Sequence, residues 1–246
     1  MATTTPTYPD LGGKVAVISG AGGNLGLAVT RRLYAENVRL ALIDRNEDRL
    51  RQTLRAEGID DSKVLIGPVD LLKKSDIDSF VDRVVAMFGQ IDILVNTAGG
   101  WRPSSPVHEL DESQWDFLVN LNVKTTFLLS SAVARRMVEK GNPGRIISVA
   151  GRAALKGDAN TAAYSVGKAG ILRLTESMSA ELLERGITVN AVLPSTIDTP
   201  QNRQGSPDAD FSKWVSADSI AGVIAFLASQ AARDISGAAI PVYGRS

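Results

Sequence analysis

Tyr164 and Lys168 are the two side chains whose types and spacing most directly suggest chemistry. They lie four residues apart in the run AAYSVGKAGIL, and in a helix residues i and i+4 share one face. An ammonium beside a phenol favours phenolate, and so lowers the tyrosine pKa from its usual value of about 10. Such a pair is predicted to exchange a proton near neutral pH. A surface tyrosine beside a solvated lysine has the same spacing, so the surrounding elements must decide.

Apolar runs of strand length alternate with stretches of helix length along the chain. Strands are predicted over 14–19, 38–43, 64–67, 91–95, 145–149, 188–192 and 238–242. Helices are predicted over 25–36, 47–57, 74–88, 113–139, 161–185 and 217–229. This alternation predicts an α/β fold, in which one doubly wound domain has a seven-stranded parallel sheet with helices on both faces.

Composition favours one large domain, since the chain has 246 residues, of which 44% are hydrophobic. The 27 basic and 27 acidic residues balance, so neither a nucleic-acid nor a membrane partner is indicated. Cysteine is absent, which is compatible with a cytoplasmic location, and the single histidine, His108, has no second metal ligand near it. No metal site is expected. Residues 1–12 are predicted to be a flexible lead, and residues 13–246 to form the domain.

A glycine-rich turn, SGAGGNLG, joins the first strand to the first helix. This geometry brings backbone amides and a helix N-terminus to a pyrophosphate. The predicted contacts are Gly20, Asn24, Leu25 and Gly26. Asp44 closes the second strand, where a carboxylate accepts from both hydroxyls of an adenosine ribose and repels a 2′-phosphate. The cofactor is therefore predicted to be NAD(H), although Arg45 leaves some use of NADP open.

Two more loops follow strands at the sheet edge where open α/β sheets bind ligands. Asp70 and Leu71 follow the third strand, at a position suited to the adenine amino group. Asn96, Ala98 and Gly99 form a turn after the fourth strand that is suited to a ribose. Ordinary strand-ending turns have the same composition. Trp101 follows, and is either a cover for a flat substrate or a loop-packing residue.

Taken together, these motifs resemble the short-chain dehydrogenase/reductase family from about residue 13 to residue 244. Residues 20–26 match its T-G-x-x-x-G-x-G turn, with Ser19 in the threonine position and Asn24 in place of the middle glycine. Residues 96–99 match N-x-A-G, and the tyrosine and lysine match Y-x-x-x-K. The run PSTIDT at 194–199 stands where the family has P-G-x-x-x-T.

The resemblance implies a Rossmann fold and assigns further roles. Pro194, Ile197 and Thr199 would contact the nicotinamide side, and Lys168 would hold the nicotinamide ribose. Asn122 would anchor a water behind that lysine. The resemblance also implies a homo-oligomer, either a dimer or a tetramer, built on the two long helices.

One position departs from the family pattern. A serine usually stands thirteen residues before the catalytic tyrosine, and here that position is Gly151, while Ser148 comes three residues too early. The segments 98–101, 153–157 and 197–214 resemble dihydropteridine reductase, a branch that also lacks the serine, uses NADH and reduces a quinonoid pterin. This second resemblance implies a substrate lid over 199–214, with Trp101, Gly151 and Trp214 near the substrate.

The expected function is therefore NAD(H)-dependent transfer of hydride between nicotinamide and a carbonyl, alcohol or conjugated imine carbon, with a pterin-like ring as one candidate. Two alternatives stay open. One is a conventional 3-oxoacyl or sugar-alcohol dehydrogenase that tolerates Gly151. The other is a non-catalytic dinucleotide-binding sensor or scaffold.

Overall fold

A computed structural model describes residues 8–245. Nine strands are present there: β1 (Val15–Ser19), β2 (Arg39–Ile43), β3 (Leu65–Gly67), β4 (Ile93–Asn96), β5 (Gly144–Val149), β6 (Ile187–Pro194), β7 (Ile197–Asp198), β8 (Val215–Ser216) and β9 (Ala239–Val242). The α-helices are α1 (Asn24–Ala35), α2 (Glu47–Ala56), α3 (Lys74–Phe88), α4 (Glu112–Val119), α5 (Thr125–Lys140), α6 (Ala162–Leu182), α7 (Pro200–Gly205) and α8 (Ala217–Ala228). Seven strands form one parallel sheet in the order β3-β2-β1-β4-β5-β6-β9.

Helices cover both faces of this sheet. The side chains of β1 alternate between the faces, as they do in any strand: Ala16 and Ile18 pack in the core beneath α1, α2 and α8. Val15 and Val17 pack in the opposite core, beneath α3, α5 and α6. All four are fully buried, which is why this strand reads as a continuous apolar run rather than as an alternating one.

The strand order reverses between β1 and β4. The chain goes outward from β1 to β2 and β3, then returns to place β4 on the other side of β1, where Ser19 pairs with Asn96. The loops leaving these two strands diverge to opposite faces of the sheet, so a crevice opens at their carboxyl ends. This crevice positions the functional site.

The predicted fold class is confirmed, and each predicted strand and helix is found within a few residues of its expected ends. Two features differ. The predicted helix over 113–139 is interrupted by a π-helical turn at Asn120–Lys124. The predicted lid contains α7, and the small β7–β8 pair flanks it on both sides. Helix α7 begins where Thr199 caps it and Pro200 occupies its first turn, two features that favour a helix start.

The segment before β1 is packed on the domain. Leu11 lies in a 3₁₀ turn and is only 1% exposed. The Tyr8 N–H donates to Glu36 Oε2 at 2.8 Å, and the Gln230 N–H donates to Asp10 Oδ2 at 2.7 Å. The prediction of a flexible lead is therefore wrong for residues 8–12, because a buried leucine anchors them; residues 1–7 and 246 lie outside the described part of the chain.

By length and hydropathy, one helical stretch within residues 8–245 passes the test for a membrane span, Glu112–Lys140, with a mean hydropathy of 1.3. Half of its apolar window, 50%, is buried inside the fold. Core helices of α/β domains have the same character, so this stretch is weak evidence for a membrane span.

Candidate active site

A cleft of about 760 Å³ lies at the carboxyl ends of the central strands. Its volume is in the range of small-molecule and cofactor sites. Its walls come from the glycine-rich turn, the loops after β4, β5 and β6, the start of α6 and the lid. The crevice at the point where the strand order reverses is therefore an open cavity, and Tyr164 and Lys168 lie on its wall.

Tyr164 and Lys168 stand in the first two turns of α6 and both line the cleft. The Lys168 ammonium is buried, with the residue 6% exposed, and donates to the Val149 carbonyl at 3.0 Å. Its Nζ lies 5.8 Å from the centre of the Tyr164 ring. The Tyr164 hydroxyl lies 3.8 Å from where a Cβ on Gly151 would be. The phenol, the ammonium and the position of the missing serine therefore form one group.

Burial controls the ionisation of this pair. It lowers the pKa of Lys168 to about 8 and raises the pKa of Tyr164 above its usual value. The prediction that Lys168 lowers the tyrosine pKa is therefore wrong for the protein alone, because desolvation of the phenolate outweighs an ammonium that is turned toward the Val149 carbonyl. Tyr164 is protonated at neutral pH, which is the form that donates a proton.

The glycine-rich turn leaves no room for a side chain at Gly22 or Gly26. A Cβ on Gly26 would overlap the Gly20 carbonyl, and one on Gly22 would lie 2.7 Å from Asp44 Oδ2. Helix α1 starts after Gly23, which offers no side-chain cap, so the first amides of this helix have no intrahelical partner. A pyrophosphate oxygen is the kind of acceptor that such amides bind. The turn fits a dinucleotide.

Asp44 stands at the end of β2 with its carboxylate held in place by the backbone. Its Oδ2 accepts from the Gly22 N–H at 2.9 Å, and its Oδ1 accepts from the Asn46 N–H at 3.0 Å. A carboxylate has about four lone-pair sites, so capacity remains for ribose hydroxyls. Arg45 is exposed. Arg49, which the sequence did not single out, reaches the same turn and donates to the Gly22 carbonyl at 3.2 Å.

Asn122 lies in the π-helical turn and is fully buried. Its Nδ2 donates to the Gly100 carbonyl at 3.0 Å and to the Leu118 carbonyl at 2.8 Å, while its Oδ1 accepts from the Gly100 N–H at 3.2 Å. Its own carbonyl accepts from Thr126 Oγ1 at 2.8 Å. The side chain thus holds the turn after β4 against α6, where a Cβ on Gly99 would lie 3.3 Å from Lys168 Nζ.

Comparison with known proteins agrees with this geometry. Residues 14–210 match the model of a family described as short chain dehydrogenase. The chain belongs to the short-chain dehydrogenase family.

Relatives of this short-chain dehydrogenase match it over nearly their full length. It is 34% identical to a (2S)-[(R)-hydroxy(phenyl)methyl]succinyl-CoA dehydrogenase subunit, BbsD, of Thauera aromatica, with 94% of this chain and 95% of that protein covered. It is 32% identical to a 2-dehydro-3-deoxy-D-gluconate 5-dehydrogenase of Escherichia coli (strain K12), with 95% of each covered. Among solved structures, an NAD+-bound xylitol dehydrogenase is similar with a TM-score of 0.86 and 29% identity, over 95% of this chain and 99% of that one.

These findings confirm three predictions: the chain is an enzyme, its class is oxidoreductase, and its cofactor is NAD(H). They do not show a special kinship with dihydropteridine reductase. The Rossmann fold is confirmed by the same comparisons.

The cleft brings together twelve of the predicted site residues. They are Gly20, Asn24, Leu25, Gly26, Gly99, Trp101, Gly151, Tyr164, Lys168, Pro194, Ile197 and Thr199. Trp101 is 57% exposed, so its ring is available at the mouth of the cleft. These residues come from five separate segments, which supports reading the motifs as parts of one site.

Other predicted residues do not line the cleft. Asp70 accepts from the Leu72 N–H at 3.0 Å, and Leu71 packs on the sheet core. Asn96 is buried between strands, where its Nδ2 donates to Ser130 Oγ at 2.9 Å and to Ser148 Oγ at 3.1 Å. The Ala98 N–H donates to Ser19 Oγ at 3.2 Å, so this residue joins β4 to β1.

Trp214 is also placed outside the cleft. Its ring packs on Phe211 with the ring centres 4.8 Å apart, and its backbone lies against Gly244. It therefore supports the base of the lid, whereas it was predicted to lie near the substrate. The lid reaches the cleft through Thr199 and Asn202 instead.

Several cleft residues lie in or beside the predicted segments 153–157, 194–199 and 199–214 but were not singled out from the sequence as site residues. They are Arg152, Ala153, Lys156, Asp158, Ser195, Thr196 and Asn202. All but Asn202 lie in the loops after β5 and β6, where the rule that ligands bind beyond the carboxyl ends of strands would have indicated them. Asn202 lies in the predicted lid, on α7, a helix that was not predicted.

Proposed function

We propose that this short-chain dehydrogenase acts on a carbonyl, alcohol or conjugated imine carbon held beside Tyr164. The observation that best supports the proposal is that the phenol, the buried lysine and the glycine-rich turn line one cleft. Bound NAD(H) supplies or accepts the hydride. The protein's own task is to place a proton donor next to the reacting carbon and to keep both partners aligned.

Each role falls to a residue described above. Tyr164 gives its proton to the substrate in reduction and takes it back in oxidation. Lys168 stabilises the resulting phenolate and bonds the nicotinamide ribose, while Asp44 bonds the adenosine ribose and disfavours a 2′-phosphate. Asn122 positions the turn beneath the nicotinamide ribose; a water anchored at Asn122, behind the lysine, remains a prediction.

Replacing Tyr164 with phenylalanine tests the assignment. Tyr164→Phe should reduce turnover at least 100-fold, because general acid–base catalysis typically contributes 10²- to 10⁴-fold. NADH binding, followed by fluorescence, should be nearly unchanged. Tyr34→Phe is the matched control, since that residue does not line the cleft and, among residues 8–245, its hydroxyl forms one hydrogen bond, which it accepts from the Asp60 N–H. Turnover by Tyr164→Phe equal to that of the parent protein would refute the assignment.

A pterin-like ring is a second candidate substrate, supported by Gly151. Without a serine hydroxyl, the site lacks one donor to a developing oxyanion, a loss that typically costs about 10²- to 10³-fold. A conjugated ring that Tyr164 protonates directly needs this donor less. The relatives described above are named for a succinyl-CoA compound, a sugar acid and a sugar alcohol, so they do not favour one substrate.

A screen of NADH oxidation separates these possibilities. It should compare quinonoid dihydropterin, cyclic imines, simple ketones, sugar ketones and 3-oxoacyl thioesters. Preferential turnover of the pterin would support the dihydropteridine reductase resemblance, and preferential turnover of sugars or thioesters would support a conventional dehydrogenase. Tight NADH binding with no turnover of any compound would favour a dinucleotide-binding sensor or scaffold.

We also propose a homo-oligomer that associates through α4, α5 and α6. Trp115, Phe117, Phe127 and Val166 lie on these helices and are 36%, 37%, 49% and 48% exposed. Exposed apolar side chains grouped on neighbouring helices are typical of subunit interfaces. Light scattering distinguishes a monomer from a dimer or tetramer.

A cytoplasmic location is also part of the proposal, since a reducing cytoplasm suits a chain without cysteine.

A further inference from the structure

Three charged side chains in the cleft have no part in the proposed proton transfer. Arg152 directly follows Gly151, and Lys156 and Asp158 follow in the same loop before α6. Together with Lys168, the cleft is lined by three cations and one carboxylate. The whole chain, by contrast, is neutral, with 27 basic and 27 acidic residues. The positive excess is therefore a local property of the cleft.

These charges lie on the substrate side, away from the pyrophosphate turn. That turn follows β1, whereas Arg152 follows β5, and β4 stands between the two strands. Neighbouring strands are about 4.8 Å apart, so the two strand ends are separated by roughly 10 Å. Arg152 instead adjoins Gly151, whose Cβ position is 3.8 Å from the Tyr164 hydroxyl. A group bound by Arg152 would therefore belong to the substrate.

The Arg152 side chain is held in place, and neither it nor Lys156 is neutralised by a carboxylate. The Arg152 guanidinium lies over the Tyr243 ring, 5.4 Å from its centre, within the range of a cation–π contact. Neither Arg152 nor Lys156 forms an ion pair with any carboxylate in the part of the chain from 8 to 245. Arg203, by contrast, is neutralised, because it donates two hydrogen bonds of 2.6 and 2.8 Å to the Asp198 carboxylate.

Resting on the proposed function, we infer that Arg152, assisted by Lys156, binds an oxyanion on the substrate. The substrate would then be a carbonyl, alcohol or imine compound that carries a carboxylate or phosphate near its reacting carbon. A guanidinium presents paired donors that match two oxygens of either group, and stacking on a ring orients that fork. Asp158 opposes the anion, so it limits the affinity of the site.

Binding to the enzyme–NADH complex tests this inference without turnover, because NADH then occupies the pyrophosphate turn. Calorimetry should compare cyclohexanecarboxylate and cyclohexyl phosphate with the neutral cyclohexanecarboxamide. We expect at least one anion to bind about 10- to 100-fold more tightly than the amide, the range for hydrogen bonds to charged groups. The anion that binds more tightly shows whether the site prefers a carboxylate or a phosphate.

Three variants test which residues cause the preference for an anion over the amide. Arg152→Gln should abolish it, and Asp158→Asn should increase it a few-fold. Arg102→Gln is the matched control, because Arg102 is also an exposed arginine stacked on an aromatic ring, 4.0 Å from the centre of Phe117, but does not line the cleft. An equal loss in Arg102→Gln and Arg152→Gln would overturn the inference.

The inference can fail while the proposed function stands. If neither anion binds more tightly than the amide, including the case in which none of the three binds, the oxyanion site is refuted. The proposed function is judged separately, by NADH oxidation that depends on Tyr164. If Arg152→Gln rapidly turned over a neutral ketone and the parent protein showed no preference for anions, the dehydrogenase function would be supported and the oxyanion site refuted.

Discussion

Gly151 differs from the usual serine in more than a missing hydroxyl. Its backbone has φ 115° and ψ 163°, a combination that is essentially restricted to glycine. The space around it is open, with Pro194 O and Tyr164 Oη each 3.8 Å from a Cβ position. The obstacle to a side chain here is therefore the backbone conformation rather than crowding. The loop after β5 has a shape that a serine would have to change.

Restoring the serine should for this reason be costly. Gly151→Ser and Gly151→Ala should each lower the free energy of unfolding by about 1–3 kcal/mol, the usual cost of such a conformation in a residue with a side chain. Urea denaturation measures the change. Gly157→Ala is the matched control in the same loop, with an ordinary φ and its nearest neighbour, Ser165, 3.9 Å away. A Gly151→Ser protein as stable as the parent would contradict the conformation described here.

Lys168 makes the reaction sensitive to pH in a predictable direction. Burial lowers its pKa to about 8, and burial raises the pKa of Tyr164, so the lysine titrates first as pH rises. Reduction leaves a phenolate that needs the charged ammonium beside it. The value of kcat/KM for reduction should therefore be highest below pH 8 and should fall as pH rises through about 8.

The Lys168→Arg protein provides the control for this profile. The pKa of a guanidinium lies well above that of an ammonium, so this side chain stays charged throughout the accessible range. If the variant folds and turns over, the fall near pH 8 should be absent from its profile, whatever its absolute rate. An unchanged fall in Lys168→Arg would assign the titration to another group.

At the scale of elements, the sequence predicted the strands and helices whose apolar patterns are set by burial. The β1 run is apolar because both of its faces are covered, and the first turn of α6 was found through Tyr164 and Lys168. The π-helical turn around Asn122 was not predicted, since it depends on tertiary bonds from that side chain to Gly100. Helix α7 was missed because six polar and small residues carry no apolar period.

Within residues 8–245, a single side-chain hydrogen bond joins the lid to the cofactor turn. Asn24 Nδ2 on α1 donates to Gln201 Oε1 on α7 at 2.7 Å. Asn24 lines the cleft, and so does Thr199, which lies two residues before Gln201. This bond therefore holds the lid across the pyrophosphate turn. The other side-chain bonds of α7, such as that from Asn202 to the Ile197 carbonyl, go to β7 at the base of the lid.

Removing this bond should loosen the hold on the cofactor. Gln201→Ala should increase the dissociation rate of NADH about 2- to 12-fold, which corresponds to a net hydrogen bond of about 0.5–1.5 kcal/mol. Stopped-flow fluorescence measures the rate. Gln204→Ala on the same helix is the control, because Gln204 makes no side-chain hydrogen bond with residues 8–245. Equal rates in the two variants would show that the bond does not restrain the lid.

At the scale of the whole molecule, the amino-terminal segment belongs to the core. Leu11 joins the cluster beneath α1 and α8, and Glu36 and Gln230 bond the residues on either side of it. The sequence suggested a flexible lead because MATTTPTYPDLGG has neither a basic start nor an apolar run. A single leucine that joins a core cluster leaves no apolar run, so only the packed structure reveals it.

Truncating that leucine should destabilise the entire domain. Leu11→Ala should lower the free energy of unfolding by about 2–5 kcal/mol, the range for deleting a buried leucine side chain. Leu155→Ala, at a residue that is 60% exposed, should change it far less. Thermal and urea unfolding of both variants provide the comparison. A stable Leu11→Ala protein would show that the segment is an appendage to the domain.

Residues 243–245 lie against the cleft. The Ser195 hydroxyl donates to the Tyr243 carbonyl at 2.7 Å, the Arg245 N–H donates to the Lys213 carbonyl at 3.0 Å, and the Tyr243 ring carries Arg152. A bulky group attached close behind residue 245 would therefore crowd Arg152 and the base of the lid. Asp10 and Leu11 instead lie with Lys14 and Asp92 at the amino ends of β1 and β4, so purification and kinetic work should place any tag ahead of that segment.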